Sequence, residues 1–238
     1  MPPRRTSEGL LNRLDHRLRL AAYLLATLAG YVDANGFLMT GGYFVSFMSG
    51  NSTQMAVALG GQAGAAAKAA GLIGAFVAGV MAGAALRRLR PRRPETAVLV
   101  LLTVLLLAAA GLASIGLGGP ATLVLALAMG AENTVFAEAG EVRVSLTYVT
   151  GVLVKCAKGI VAALFGGDRF GWAPQLLLWL SLVSGAVVGA WAFGRFGSAC
   201  LWGAALAAGL MTLFFRFAVV ARDVQEPPPP SPAGAAAA

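Results

Sequence analysis

Residues 96–117 read TAVLVLLTVLLLAAAGLASIGL, twenty-two positions without a charge. At about 1.5 Å of helix per residue this run matches the hydrocarbon thickness of a bilayer. The pattern recurs along the chain. Eight segments bounded by Gly, Pro or charge lie at 18–40, 43–60, 69–86, 96–117, 120–138, 144–166, 173–194 and 198–220. Hydrophobic residues make up 58% of the chain and charged residues 12%, about half the charged share of a soluble domain. The expected fold is therefore all-α, a polytopic helical membrane protein with one membrane domain and the lipid bilayer as its first partner. The 31 glycines suit helices packed closely in lipid.

The stretch LAAYLLATLAGYV (20–32) follows a basic flank as a secretory leader would. Its apolar character resumes at 36–39, so it reads as an uncleaved first helix behind a basic amphipathic turn at 10–20. At the other end, PPPPSPAGAAAA (227–238) is low-complexity sequence expected to be disordered.

The net charge of +8 gathers at span ends: Arg4, Arg5, Arg13, Arg17 and Arg19, then Arg87, Arg88, Arg90, Arg92 and Arg93. Such clusters fix orientation and meet anionic headgroups. No aromatic–basic platform accompanies them, which argues against nucleic acid. Cys156 and Cys200 form no CxxC pair, and His16 is the single histidine. That argues against a Cys/His metal site and a His-based triad, and no cofactor is implied.

Two segments differ from the rest. GGYFVSFMSGNSTQM (41–55) carries Ser46, Ser49, Asn51, Ser52, Thr53 and Gln54, and the segment 144–166 contains Lys155 and Lys158. Eight full crossings would put one arginine cluster outside, against the positive-inside rule. If these two segments dip in and return, six transmembrane helices cross, and both clusters and both termini face the cytoplasm.

The chain also repeats itself. GYVD (30–33) is echoed by GAEN (130–133), SFMSG (46–50) by TYVTG (147–151), and AGVMAG (78–83) by SGAVVG (184–189). The order is kept at offsets near one hundred. The organisation expected is a basic segment 1–17, repeats at 18–117 and 118–222, and a tail 223–238. Three crossings per half invert the second repeat, the plan of many secondary transporters and channels.

Asp33 is the sharpest candidate, because a carboxylate inside a span costs about 2.5–3.5 kcal/mol unless it pairs, protonates or faces water. It reads either as a coupling or solute-binding group or as an acceptor for the facing element. Glu132 stands next to Asn133, the position equivalent to Asp33, and either handles a proton or neutralises Lys155 or Lys158. Asn35 and Asn133 suit orienting a polar solute or tying helices together. Ser49, Asn51 and Thr53 around Gly50, and Thr150 before Gly151, suit a helix break whose free backbone groups meet an ion. Lys155 and Lys158 balance the carboxylates, bind an anion or snorkel to headgroups. Gly79/Gly83 and Gly185/Gly189 read as packing glycines.

On GYVDANGFL, Ser49-Gly50-Asn51 with Ser52, and TYVTGVLVK, the chain resembles the YoaK-like family of uncharacterised bacterial inner-membrane proteins. The resemblance covers all but the two tails. It implies a six-helix protein of the bacterial inner (plasma) membrane and brings no catalytic residues. Members commonly carry threonine where this chain has Ser49 and Ser52, and a glutamine–asparagine pair where it has Glu132-Asn133, so Glu132 adds a charge.

The function expected is a small transporter or channel for a small polar or ionic solute, with a midplane site drawn from both repeats. The alternative is a non-transporting scaffold, sensor or assembly factor. An enzyme is not expected, since neither HExxH nor a Ser–His arrangement is available. Self-association into a homo-oligomer is left open.

Overall fold

In hydrocarbon, backbone groups must be satisfied within helices, and the chain is built that way. The computed structural model describes residues 16–138, 141–142 and 149–223, with the backbone alone at 17, 137–138, 141–142 and 218–223. Its helices are α1 (His16–Thr40), α2 (Met48–Ala58), α3 (Ala63–Leu89), α4 (Pro94–Ser114), α5 (Gly118–Glu132), α6 (Val149–Leu164), α7 (Ala173–Phe196) and α8 (Leu201–Asp223). A 3₁₀ turn, Gly197–Cys200, joins the last two. Arg4, Arg5, Arg13, Arg143, Thr147 and the tail from 224 lie outside the described residues.

The expected helix over 120–138 stops at Glu132, and an antiparallel ladder of β1 (Ala137–Glu138) with β2 (Glu141–Val142) departs from the all-α expectation. The stop has a local cause. Asn133 Nδ2 donates to the Met129 carbonyl (2.9 Å) and Thr134 Oγ1 to that of Ala131 (2.8 Å). Side chains that fold back on the last carbonyls compete with further helix.

Among the described residues, α3, α4 and the run Ala173–Phe217 spanning α7 and most of α8 are long and apolar enough to cross a membrane. The 11 residues of α2 reach only about 16 Å, half of a hydrocarbon core. Segment 43–60 is thus not one helix: 41–47 is irregular backbone ahead of α2.

Helix directions follow from single contacts. Lys68 Nζ, early in α3, donates to the Thr40 carbonyl at the end of α1 (2.5 Å). So α3 runs antiparallel to α1, and the chain through 41–62 returns to the end of the bundle it left. Trp202 Nε1 donates to Ser114 Oγ (3.1 Å), and Thr103 Oγ1 meets Thr212 Oγ1 (3.1 Å), which sets α8 antiparallel to α4. Tyr23 OH reaches the Pro174 carbonyl (3.4 Å), so α7 starts where α1 starts. One end of the bundle therefore holds Thr40, Ser114 and Trp202; the other holds His16, Arg87 and Pro174.

The tightest packing is made by glycine. A Cβ at Gly185 would overlap the Thr27 carbonyl oxygen, and one at Gly79 that of Leu127. Likewise Gly30 lies on the Leu182 carbonyl and Gly130 on that of Phe76. Positions 27 and 127, and 30 and 130, stand one hundred residues apart; 79 and 185, and 76 and 182, stand one hundred and six apart. Each contact is made twice: α1 on α7, α5 on α3. Leu25, Leu72, Leu99, Leu102, Leu106 and Leu125 fill the centre, while Val57, Leu164, Phe165 and Phe217 stand exposed, a surface suited to lipid.

Candidate functional site

GYVDANG (30–36) is a docking face on α1. Asp33 and Gly36, three residues apart, lie on one side of the helix. Asp33 Oδ1 accepts the backbone amides of Val45 (2.9 Å) and Ser46 (2.8 Å). Gly36 leaves the notch for Val45, whose Cγ1 would sit 2.5 Å from a Cβ there, and Val45 is fully buried. The carboxylate thus satisfies backbone that has left the helix.

Asn51 completes the hold from the other side. Its Oδ1 accepts the Phe44 amide (2.9 Å) and its Nδ2 donates to the Phe44 carbonyl (2.6 Å), with the side chain fully buried. Thr40 Oγ1 accepts the Tyr43 amide (2.9 Å), and Gln54 Nε2 donates to the Gly42 carbonyl (2.8 Å). Lys68 also stands 5.1 Å from the Tyr43 ring centre. Phe44 packs between Phe37 (4.9 Å) and Phe47 (5.3 Å), over Gly50, where a Cβ would lie 2.8 Å from Phe47. Asp33 and Asn51 are therefore joined through residues 44–46 of the chain itself.

Asn35 lies on a different contact. Its Nδ2 donates to the Tyr31 carbonyl (2.7 Å), and its Oδ1 accepts from Cys200 Sγ (2.6 Å). Tyr31 OH donates to the Cys200 carbonyl (2.9 Å), so this pair fastens α1 to the turn before α8. Thr40, Gln54, Lys68 and Cys200 were not among the expected site residues. Gln54 was visible only as one more polar group of the 41–55 stretch, and Thr40, Lys68 and Cys200 stand at span edges, where their presence needs no site to explain it.

The other candidates do not converge. Ser52 and Thr53 donate to the carbonyls of Met48 and Ser49 four residues back (2.8 and 3.2 Å). Ser49, Thr150, Lys155 and Lys158 are exposed. Gly159 of α6 packs on Trp172, near the start of α7. No group of three His, Cys, Asp or Glu side chains among the described residues is arranged to hold a metal.

Glu132 is of another kind. It is fully buried, and both carboxylate oxygens lack a hydrogen-bond partner among the described residues. Gly83 packs on Ala131, and Arg87 Nη1 donates to the Val135 carbonyl (2.7 Å), which puts Glu132 at the Arg87 end. Asp33 lies past Tyr31 toward the Thr40 end. The expected single midplane cluster of both carboxylates is not what the fold builds. Among the described residues, grooves of about 800 Å³ beside Arg92 and about 390 Å³ beside His16 open at the Arg87 end, and none of the candidate residues lines either of these.

A family model described as a protein of unknown function (DUF1275) matches residues 21–214. The UPF0700 transmembrane protein RA0705 of Rhizobium meliloti (strain 1021) is 39% identical over 191 residues, 79% of this chain and 81% of that protein. No solved structure matches.

Proposed function

The chain belongs to the DUF1275 family of proteins of unknown function, and from that premise we propose a small transporter or channel, not an enzyme, for a small polar or ionic solute. It is a multi-pass helical membrane protein. We read its YoaK-like resemblance as part of the same membership. Glu132 carries the proposal. Buried as an anion, with no counter-charge among the described residues, it would cost several kcal/mol. A proton or small cation on its open oxygens removes that cost, and exchange of that occupant is the elementary step of transport.

The architecture we attach to this is an inverted repeat, α1–α4 followed by α5–α8, each with three crossings and one returning element. Three findings support it: the doubled glycine contacts, the return of 41–62 to the Thr40 end, and the packing of α6, through Gly159 on Trp172, at the end where α7 starts. The cations Arg87, Arg88, Arg90, Arg92, Arg93, Arg169 and Arg216 favour that end as cytoplasmic, with both termini, in an inner membrane. Lys68 and Arg195 belong to the opposite end.

In proteoliposomes with an internal pH dye, under imposed H⁺, Na⁺ or K⁺ gradients, wild type moves at least one of these ions faster than empty vesicles. Glu132→Gln slows that flux by about ten-fold or more, while thermal stability holds because Glu132 makes no hydrogen bond among the described residues. Equal flux in wild type and Glu132→Gln removes Glu132 from the mechanism. The second reading, a non-transporting scaffold, sensor or assembly factor with homo-oligomeric or other partners, draws on the internal satisfaction of Asp33, Asn35 and Asn51. Under it no gradient gives flux above empty vesicles.

A further inference from the structure

The hairpin between α3 and α4 carries a second feature, independent of transport. Its groove of about 800 Å³ has an apolar wall of Leu86, Leu89, Val100, Leu101 and Val104. Leu89 and Val104 are exposed, although both lie in helices that continue into the bundle. The mouth is made of Arg90, Arg92 and Arg93.

These arginines face no acid among the described residues. Glu95, the nearest carboxylate in sequence, turns away to Arg87 at 3.5 Å. Two further polar features lie at the groove. Arg93, the residue before α4, makes no side-chain cap to the helix; Pro94 has no N–H and the Ala97 amide bonds the Arg93 carbonyl (3.1 Å), which leaves Glu95 and Thr96 as the first-turn donors at that end. Thr96 lines the groove, and its buried hydroxyl has no partner among the described residues.

We infer that this groove holds one anionic phospholipid, its phosphate among Arg90, Arg92, Arg93 and the start of α4, its acyl chain along Leu89, Val100 and Val104. A soluble acidic peptide would use the arginines and leave the wall bare; a neutral lipid would cover the wall and leave three cations unmatched. An anionic lipid at the membrane surface matches both parts. The proximity of the groove to the span ends puts the charged part at headgroup depth and the wall at acyl depth.

The full chain, detergent-solubilised and incubated with equal dioleoyl phosphatidylglycerol and dioleoyl phosphatidylcholine, is read by native mass spectrometry for retained lipid. Wild type retains one phosphatidylglycerol in preference to phosphatidylcholine. Arg92→Gln/Arg93→Gln lowers that preference by roughly five-fold per charge removed. Arg195→Gln, at the opposite end, leaves it unchanged. Val104→Trp, which fills the wall, lowers retention of both lipids. Arg92 is exposed and Arg93 half-buried, and neither belongs to the hydrophobic core, so an unchanged unfolding temperature of the double variant separates loss of lipid preference from loss of fold. Equal retention of the two lipids by wild type overturns the inference, as does equal loss on Arg195→Gln. A dimeric mass abolished by Val104→Trp would overturn it too, by assigning the groove to a second copy of the chain.

Discussion

Asp33 sits where a helix face must accept chain that is no longer helical. Its Oδ1 takes two amides, and each amide left without a partner in a water-poor setting costs about 1–3 kcal/mol. Asp33→Ala should therefore lower stability by about 2–4 kcal/mol, while Asp33→Asn keeps an acceptor oxygen and loses less than half as much. Thermal unfolding in detergent measures both, and an equal loss in the two variants would refute the acceptor role. These residues were visible in the sequence as polar groups inside apolar runs. What they do was not, because the partners are backbone amides of 43–46, and any residue supplies those. Glu132 shows the converse: the sequence offers Lys155 or Lys158 as its partner, yet both lysines are exposed and the buried carboxylate has no hydrogen-bond partner among the described residues.

At the scale of elements, the helices that pack through long apolar faces were legible and their ends were less so. α7 begins within the expected 173–194 because Pro174 and the preceding turn mark it. α2 is shorter than its segment because residues 41–47 are held by Thr40, Asp33, Asn51 and Gln54 instead of by helical bonds, and no periodicity records that. Close helix packing rests on particular glycines. Gly185→Ala would push a methyl into the Thr27 carbonyl of α1, and overpacking of this sort costs about 1–3 kcal/mol. Gly74→Ala, with nothing within 4 Å of the added carbon, should instead raise stability by about 0.5–1 kcal/mol through helix propensity. Unfolding curves for the two variants side by side check the contrast, and a loss at Gly74 equal to that at Gly185 would remove the close approach as its cause.

For the whole molecule, the prediction is one of sidedness. With Cys156 and Cys200 both buried, single exposed cysteines report access. Leu59→Cys and Leu117→Cys should react with an impermeant maleimide from the same face of sealed vesicles, and Arg92→Cys only from the other. Reaction of Leu59→Cys together with Arg92→Cys would mean that α3 does not cross, and the six-crossing plan would go with it. The pairing of α1 with α7 has a consequence for how the protein is made. The groove around Gly30 and Thr27 is cut for a helix whose residues, Leu182 and Gly185, leave the ribosome after most of the chain. At roughly 5–20 residues per second, α1 stands in the bilayer for on the order of ten seconds with that face filled only by lipid tails. In that interval a neighbouring nascent chain offers the same late helix, so crowded synthesis favours exchanged pairs of chains, and a chain cut short before α7 leaves its first helix without a mate.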